Sequence, residues 1–130
     1  MSCVDTDMIK LTAAQIDYLA SQRLGRIATT GPDGKPHVVP TSFHYNDDLG
    51  TLDMGGHHVV TTKKYRDVSA NPWASIVVDD LASTEPWKPR MLEIRGRAEA
   101  IPTGGDALGP GFGDAFIRLY PEKVNSFGIE

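Results

Sequence analysis

The chain has 130 residues, 40% of them hydrophobic, with a formal charge of −4 and a pI near 5.5. That length and apolar share suit one compact domain with its own core, and they exclude a disordered tail or a disulfide-stapled miniature. The acidic balance argues against nucleic acid held through its phosphates. The single cysteine, Cys3, allows neither an internal disulfide nor a cysteine-built zinc site.

The start, MSCVDTDMIK, carries acidic residues and no apolar run, so it does not read as a signal peptide. No later segment approaches the roughly 20 apolar residues of a spanning helix. The expectation is a soluble cytoplasmic protein without a membrane segment. It forms a single domain over 1–130, with residues 1–10 as a mobile tail.

Thr12-Ala13-Ala14-Gln15 has the form of a capping box, with Leu11 and Ile16 as its hydrophobic staple, and predicts a helix over 12–23. Arg23 falls in its last turn and Gly25 just past it. Arg26–Thr30 and Pro36–Tyr45 read as a hairpin around GPDGK. In the second strand Val39, Thr41, Phe43 and Tyr45 share one face, and Val38, Pro40, Ser42 and His44 the other. Pro40 donates to no ladder, so it marks an edge, a bulge or a backbone facing something other than a strand.

Thr51–Met54 is a third strand, leading to Gly55-Gly56, and Thr61–Ala70 a short helix stopped by Asn71-Pro72. Ala74–Val78 is a buried-type strand, followed by LASTEPWKP as a long loop. Arg90–Ile101 alternates, with Leu92, Ile94, Gly96, Ala98 and Ala100 inward. PTGGDALGPGFG is another loop, and AFIRLYPEKVNSFGI gives a strand, a proline turn and a last short strand. Six or seven strands with two helices and short connections make the fold mainly β, an antiparallel small barrel.

The stretch TTKKYR, Thr61 to Arg66, places three cations in the first turns of a helix, the end that prefers anions. Two readings stand. An anion at that end would draw on free backbone N–H groups, threonine hydroxyls and lysine ammoniums together. Alternatively the face is solvated, with Lys63 or Arg66 paired to Asp67 or a distant carboxylate. Neither a GxxxxGK[ST] loop nor GxGxxG is present.

Four histidines occur, at 37, 44, 57 and 58. His57 and His58, being adjacent, point apart in regular structure and make a poor metal pair, so no metal is expected. No GxSxG elbow exists, and no catalytic residue is assigned. Trp87 and Lys88 sit between prolines in EPWKPR, where an aromatic covers a flat ligand, packs at a subunit interface or lies on the surface. Arg95 and Arg97 share a polar face with Glu93 and Glu99.

LGRIATTGPDGKPHVVPTSFHYN, TKKYRDVSANP, LEIRGRAEAI and RLYPEKVNSFGIE occur in that order, over nearly the whole chain from about Leu19. In wording and spacing they resemble the pyridoxamine 5′-phosphate oxidase-like split β-barrel family, in the branch that uses the deazaflavin coenzyme F420. Within it the chain is most similar to the group typified by the oxytetracycline-biosynthesis reductase, which shares DDLAS, the PW and PR pairs, and the ending around Val124 and Gly128.

The resemblance implies a six-stranded split barrel that forms a homodimer with cofactor sites at the interface. It implies a ring site at Val38, Val39, Pro40, Thr41 and Ser42, and a cofactor phosphate at Thr61, Thr62, Lys63 and Lys64; Trp87, as an aromatic able to cover a flat ligand, is expected as a further cofactor contact. Two positions depart from the family: Phe127 stands where tryptophan is expected, and Thr62 where several relatives have arginine.

The activity implied is hydride transfer from reduced F420 to an electron-poor double bond of a planar organic substrate, with His44, Tyr45 or Trp87 on the substrate side. The alternatives are an FMN-dependent oxidase or flavin reductase of the same fold, and a non-catalytic cofactor or tetrapyrrole carrier.

Overall fold

A computed structural model describes residues 8–129. Cys3 and the first seven residues of the expected tail lie outside them. Nearer the domain, the Ile9 N–H donates to the Pro121 carbonyl at 2.8 Å and Leu11 is buried. Among the described residues no helix is long and apolar enough to cross a membrane.

Helix α1 spans Ala13–Ala20. Its capping box is present: the Gln15 N–H donates to Thr12 Oγ1 (3.1 Å), and Gln15 Oε1 accepts from the Thr12 N–H (2.9 Å). The helix stops three residues short of the expected Arg23. The Ser21 hydroxyl donates to the Tyr18 carbonyl at 2.6 Å, a local alternative to another turn. Gly25 is therefore not a helix stop; it opens β1, where an added Cβ would lie 3.0 Å from Ile76 Cδ1.

Seven strands follow: β1 (Gly25–Thr30), β2 (Pro36–Thr41), β3 (His44–Asn46), β4 (Thr51–Gly55), β5 (Trp73–Thr84), β6 (Trp87–Ile101) and β7 (Phe116–Phe127). Helix α2 (Lys63–Ala70) lies between β4 and β5. The sheet is antiparallel, ordered β2-β1-β5-β6-β7-β4-β3. Its two edge strands are consecutive in the chain, joined through Ser42 and Phe43. The sheet thus closes as a split barrel, mainly β, with a seam between β2 and β3. The expected single strand 36–45 is broken there, which makes seven strands where the resemblance implies six. Pro40 lies on an edge strand, opposite Arg26.

Two further expectations are corrected. LASTEPWKP is not a long loop but the tip of the β5–β6 hairpin, with only Glu85-Pro86 in the turn. Pro89 is tolerated in a strand because the ladder is already interrupted between Leu81 and Ser83. β7 likewise runs unbroken through Pro121, which sits at a bulge opposite Gly96. A Cβ on Gly96 would meet the Tyr120 carbonyl oxygen, so the bulge needs glycine there.

The core is the inward rows of β1 and of β4 to β7: Ile27, Leu52, Met54, Ile76, Val78, Leu92, Ile94, Ile117 and Leu119, with Leu19 of α1 and Val68 of α2. One polar network ties α1 to the hairpin. Asp80 accepts from Arg90 Nε (2.9 Å) and Nη2 (2.5 Å), from the Tyr18 hydroxyl (2.9 Å) and from Gln22 (3.1 Å). The Arg90 hydrogen bond, against the opposing effect of burial and with help from Tyr18, holds the Asp80 carboxyl at about 2. Burial first, then the bond to Asp80, pushes the Tyr18 hydroxyl up.

Because the folded carboxyl titrates below an unfolded aspartate at about 3.9, its contribution is present above pH about 4 and lost as pH falls through about 2. Asp80→Asn should lower Tm at pH 7. Thermal scans from pH 5 downward should show the difference from the parent protein closing toward pH 2. A gap independent of pH would show that Asp80 does not act through its charge.

Candidate functional site

The segment leaving β4 runs through Gly56, His57 and His58 into a 3-10 turn, Val59–Thr61, and then into α2. Thr62 caps that helix. Its Oγ1 accepts from the Tyr65 N–H (3.4 Å) and its hydroxyl donates to the Val59 carbonyl (2.6 Å). The Thr61 hydroxyl donates to the His58 carbonyl (2.8 Å), and Arg66 donates to the Thr61 carbonyl (2.8 Å). Both threonine hydroxyls are therefore engaged in building the entry to the helix.

Lys63 and Lys64 differ. Lys63 Nζ donates to Asp67 Oδ1 at 2.9 Å, the helix-face pairing that sequence left open as an alternative to an anion site. Asp67 is 2% exposed and its Oδ2 accepts from the Thr29 hydroxyl at 2.9 Å. Burial alone would raise the Asp67 carboxyl, but the bonds from Lys63 and Thr29 outweigh it and hold the group below its ordinary value. Lys64 is half-buried and has no hydrogen bond or ion pair among the described residues; burial alone lowers its pKa. A desolvated ammonium without a partner at a helix N-terminus is a place where an anion gains energy.

Two residues of this floor, Thr29 and Gly31, escape sequence reading, and a third, His37, enters there only as one of the four histidines. A Cβ on Gly31 would stand 2.6 Å from Asp67 Oδ1 and 3.6 Å from Lys63 Nζ. His37 Nδ1 is buried without a hydrogen-bond partner, on the side of the helix where Asp67 lies. The Lys63–Asp67 spacing of four was a readable signal, whereas Thr29 and Gly31 are brought in by tertiary packing.

Val38 to Ser42 lie along the edge strand and its end at the seam. Val38 is 63% exposed and Pro40 is exposed, while Thr41 is buried with its hydroxyl on the Ser42 carbonyl (2.9 Å). Ser42 Oγ lies 3.5 Å from the Gly55 carbonyl oxygen, so the end of β2 adjoins the start of the segment that leads to α2. Val39 faces the core. The outer face beside Val38 is apolar, with Trp73 half exposed and a hollow of about 320 Å³ lined by Ala28, Pro36, Trp73 and Arg95.

Trp87 stands apart from the rest. Pro40 is in register with Arg26 and Val77, and Trp87 pairs with Thr84, seven residues further along β5. That is roughly 23 Å of strand. Trp87 is 68% exposed at the hairpin tip.

His44 and Tyr45 line a hollow of about 320 Å³ between α1 and β3, with Ile16, Leu19, Phe43 and Asp47. Burial, then Asp47, raises the Tyr45 hydroxyl. A larger hollow of about 500 Å³ lies between the end of α2 and β6, lined by Pro72, Arg97, Glu99 and Tyr120. There the Tyr120 hydroxyl, pushed up to about 12 by burial and by Glu99, donates to Glu99 at 2.7 Å. His57 and His58 do not point apart: they lie in an irregular turn with ring centroids 5.2 Å apart. His57 Nδ1 is 2.7 Å from the Gly111 carbonyl oxygen.

Residues 11–124 match the family model described as pyridoxamine 5′-phosphate oxidase. The chain is 39% identical to a 5a,11a-dehydrotetracycline/5a,11a-dehydrooxytetracycline reductase of Streptomyces rimosus over 119 residues, 92% of this chain and 84% of that protein. A conserved hypothetical protein from Mycobacterium tuberculosis superposes with a TM-score of 0.72 at 20% identity, covering 95% of this chain and 88% of that one. A FAD-binding protein from Mesorhizobium loti superposes at 0.64 and 25% identity, covering 89% and 94%.

The notch at Gly31 yields a test of the floor. Gly31→Ala should force the Asp67 carboxylate off its present position and destabilise the fold by about 1–3 kcal/mol. Urea denaturation measures it; an unchanged midpoint would mean that the carboxylate has room to move.

Proposed function

The chain belongs to the pyridoxamine 5′-phosphate oxidase family, and on that premise we propose that it is an F420-dependent reductase of a planar organic substrate with an electron-poor double bond. The observation that carries the reading is Lys64, half-buried and without a partner among the described residues, at the start of α2, on the segment adjoining the end of the exposed edge strand β2. The similarity to a dehydrotetracycline reductase supports both the reaction class and the planar substrate.

The residues present fit a deazaflavin or flavin with a phosphate on its side chain. Val38 to Ser42 offer an edge whose backbone groups are not all committed to a neighbouring strand, and Pro40 has no N–H to leave unpaired. Lys64 and the first backbone N–H groups of α2 would hold the phosphate, while Thr61 and Thr62 shape the turn that presents them. Reduced F420, when bound, supplies the hydride. The protein binds and orients the reactants and excludes water from the site. His44 and Tyr45, lining the hollow beside the seam, form the substrate side.

The active form is a homodimer. Val38, Trp73 and Trp87 leave large apolar surface exposed on one chain. Trp87, too far along its hairpin to reach residues 38–42 of its own chain, would cover the cofactor of a second copy. FMN is the rival cofactor, supported by the likeness to a FAD-binding protein.

Equilibrium titration of the purified protein with F420 and with FMN separates the two; tighter binding of FMN would reverse the cofactor assignment. Lys64→Ala should weaken F420 binding by about 1–3 kcal/mol without changing the thermal midpoint by more than a few degrees. Fluorescence of the deazaflavin reads the dissociation constant, and an unaltered value would remove the phosphate from α2.

A further inference from the structure

We infer that Asp67 determines which phosphate the α2 entry accepts: by neutralising Lys63 it leaves one free ammonium, so the site suits a singly charged phosphodiester over a doubly charged phosphate monoester. The inference rests on the cofactor reading above and adds a charge rule to it.

The donors can be accounted for one by one. Lys63 Nζ lies 2.9 Å from Asp67 Oδ1, and that carboxylate is itself buried and fixed through Thr29. The pair carries no net charge. The Thr61 and Thr62 hydroxyls point their hydrogens at the His58 and Val59 carbonyls. Arg66 is turned back onto the Thr61 carbonyl. What remains for a ligand is Lys64 and the unpaired N–H groups of the first turn. His37 Nδ1 adds no donor to this set while it stays buried, and it lies on the Asp67 side of the helix.

One ammonium balances one phosphate charge. A monoester at pH 8 carries close to two, since its second proton leaves near pH about 6. The second charge would be brought to a half-buried site where the nearest further cation, Arg66, is held on the Thr61 carbonyl and turned away from the ligand. Removing the Asp67 charge frees the Lys63 ammonium, and a dianion gains about twice as much from it as a monoanion.

The test uses one ring with three side chains: a deazaflavin bearing a free hydroxyl, a 5′-phosphate monoester, or the methyl diester of that phosphate. Dissociation constants are measured at pH 8 by fluorescence. The parent protein should bind the diester at least as tightly as the monoester. Asp67→Asn should shift the ratio toward the monoester by at least about fivefold. The double variant Lys63→Gln/Asp67→Asn, whose pair is again uncharged, should return the ratio to the parent value, which a merely structural lesion would not do.

An unchanged ratio in Asp67→Asn, with the diester still bound, overturns the inference alone. So does a double variant that keeps the shifted ratio. Equal binding of all three compounds by the parent protein removes the phosphate site, and binding of none removes the deazaflavin reading together with the charge rule.

Discussion

A carboxylate buried inside a protein of this size must be answered at once by donors, and the arrangement around Asp67 follows from that requirement. Thr29 donates from β1, Lys63 donates from one turn earlier on α2, and Gly31 leaves the space in which the carboxylate fits. Together these pin the N-terminal half of the helix to the end of β1. Once Lys63 is drawn down to Asp67, the next residue, about 100° further round the helix, takes a different environment. Lys64 is left half-buried and, among the described residues, unpaired. A single ion pair to a buried carboxylate thus decides which of two adjacent lysines is structural and which is free for a ligand.

The second constraint is the seam. Long β5, β6 and β7 form a platform that carries the core, while the short β2 and β3 close the barrel from opposite edges without pairing to each other. Because Ser42 and Phe43 join them directly, the unpaired edges meet at one place. That place also adjoins Gly55, where β4 gives way to the segment leading to α2. Exposed strand edges are usually blunted by charge, proline or cover. Here Pro40 blunts the edge within β2, and the neighbouring outer face stays apolar around Val38 and Trp73.

Local signals were legible where they were local. The capping box of α1, the alternation of Arg90–Ile101 and the edge character of Pro40 are each written within a few residues, and each is present in the structure. Where expectation and structure differ, proline is the common cause: prolines at 86, 89 and 121 read as strand breaks in the sequence, yet a turn and two bulges absorb them. Gly96 was the hint for one of these, since a glycine inside an alternating strand marks close backbone approach. The early end of α1 turns on the Ser21 hydroxyl, a competitor that pattern reading does not weigh. At the site, Lys63 and Asp67 could be paired by spacing alone. Thr29, Gly31 and His37 are some 30 residues or more away and reach the same floor only through the sheet.

Two lysines at the start of a helix oppose its dipole, and the chain resolves the conflict in two different ways. Lys63 is compensated from within, by the buried Asp67 carboxylate. Lys64 is not compensated, and burial makes its isolation more costly than exposure would. Thr62 adds a cap but no charge, and its hydroxyl is already directed at Val59. An arginine there would place a permanent cation at the entry whatever the state of Lys63. With threonine in its place, the charge presented by this end of α2 is set by the balance between Lys63, whose side chain is 45% exposed, and the buried Asp67.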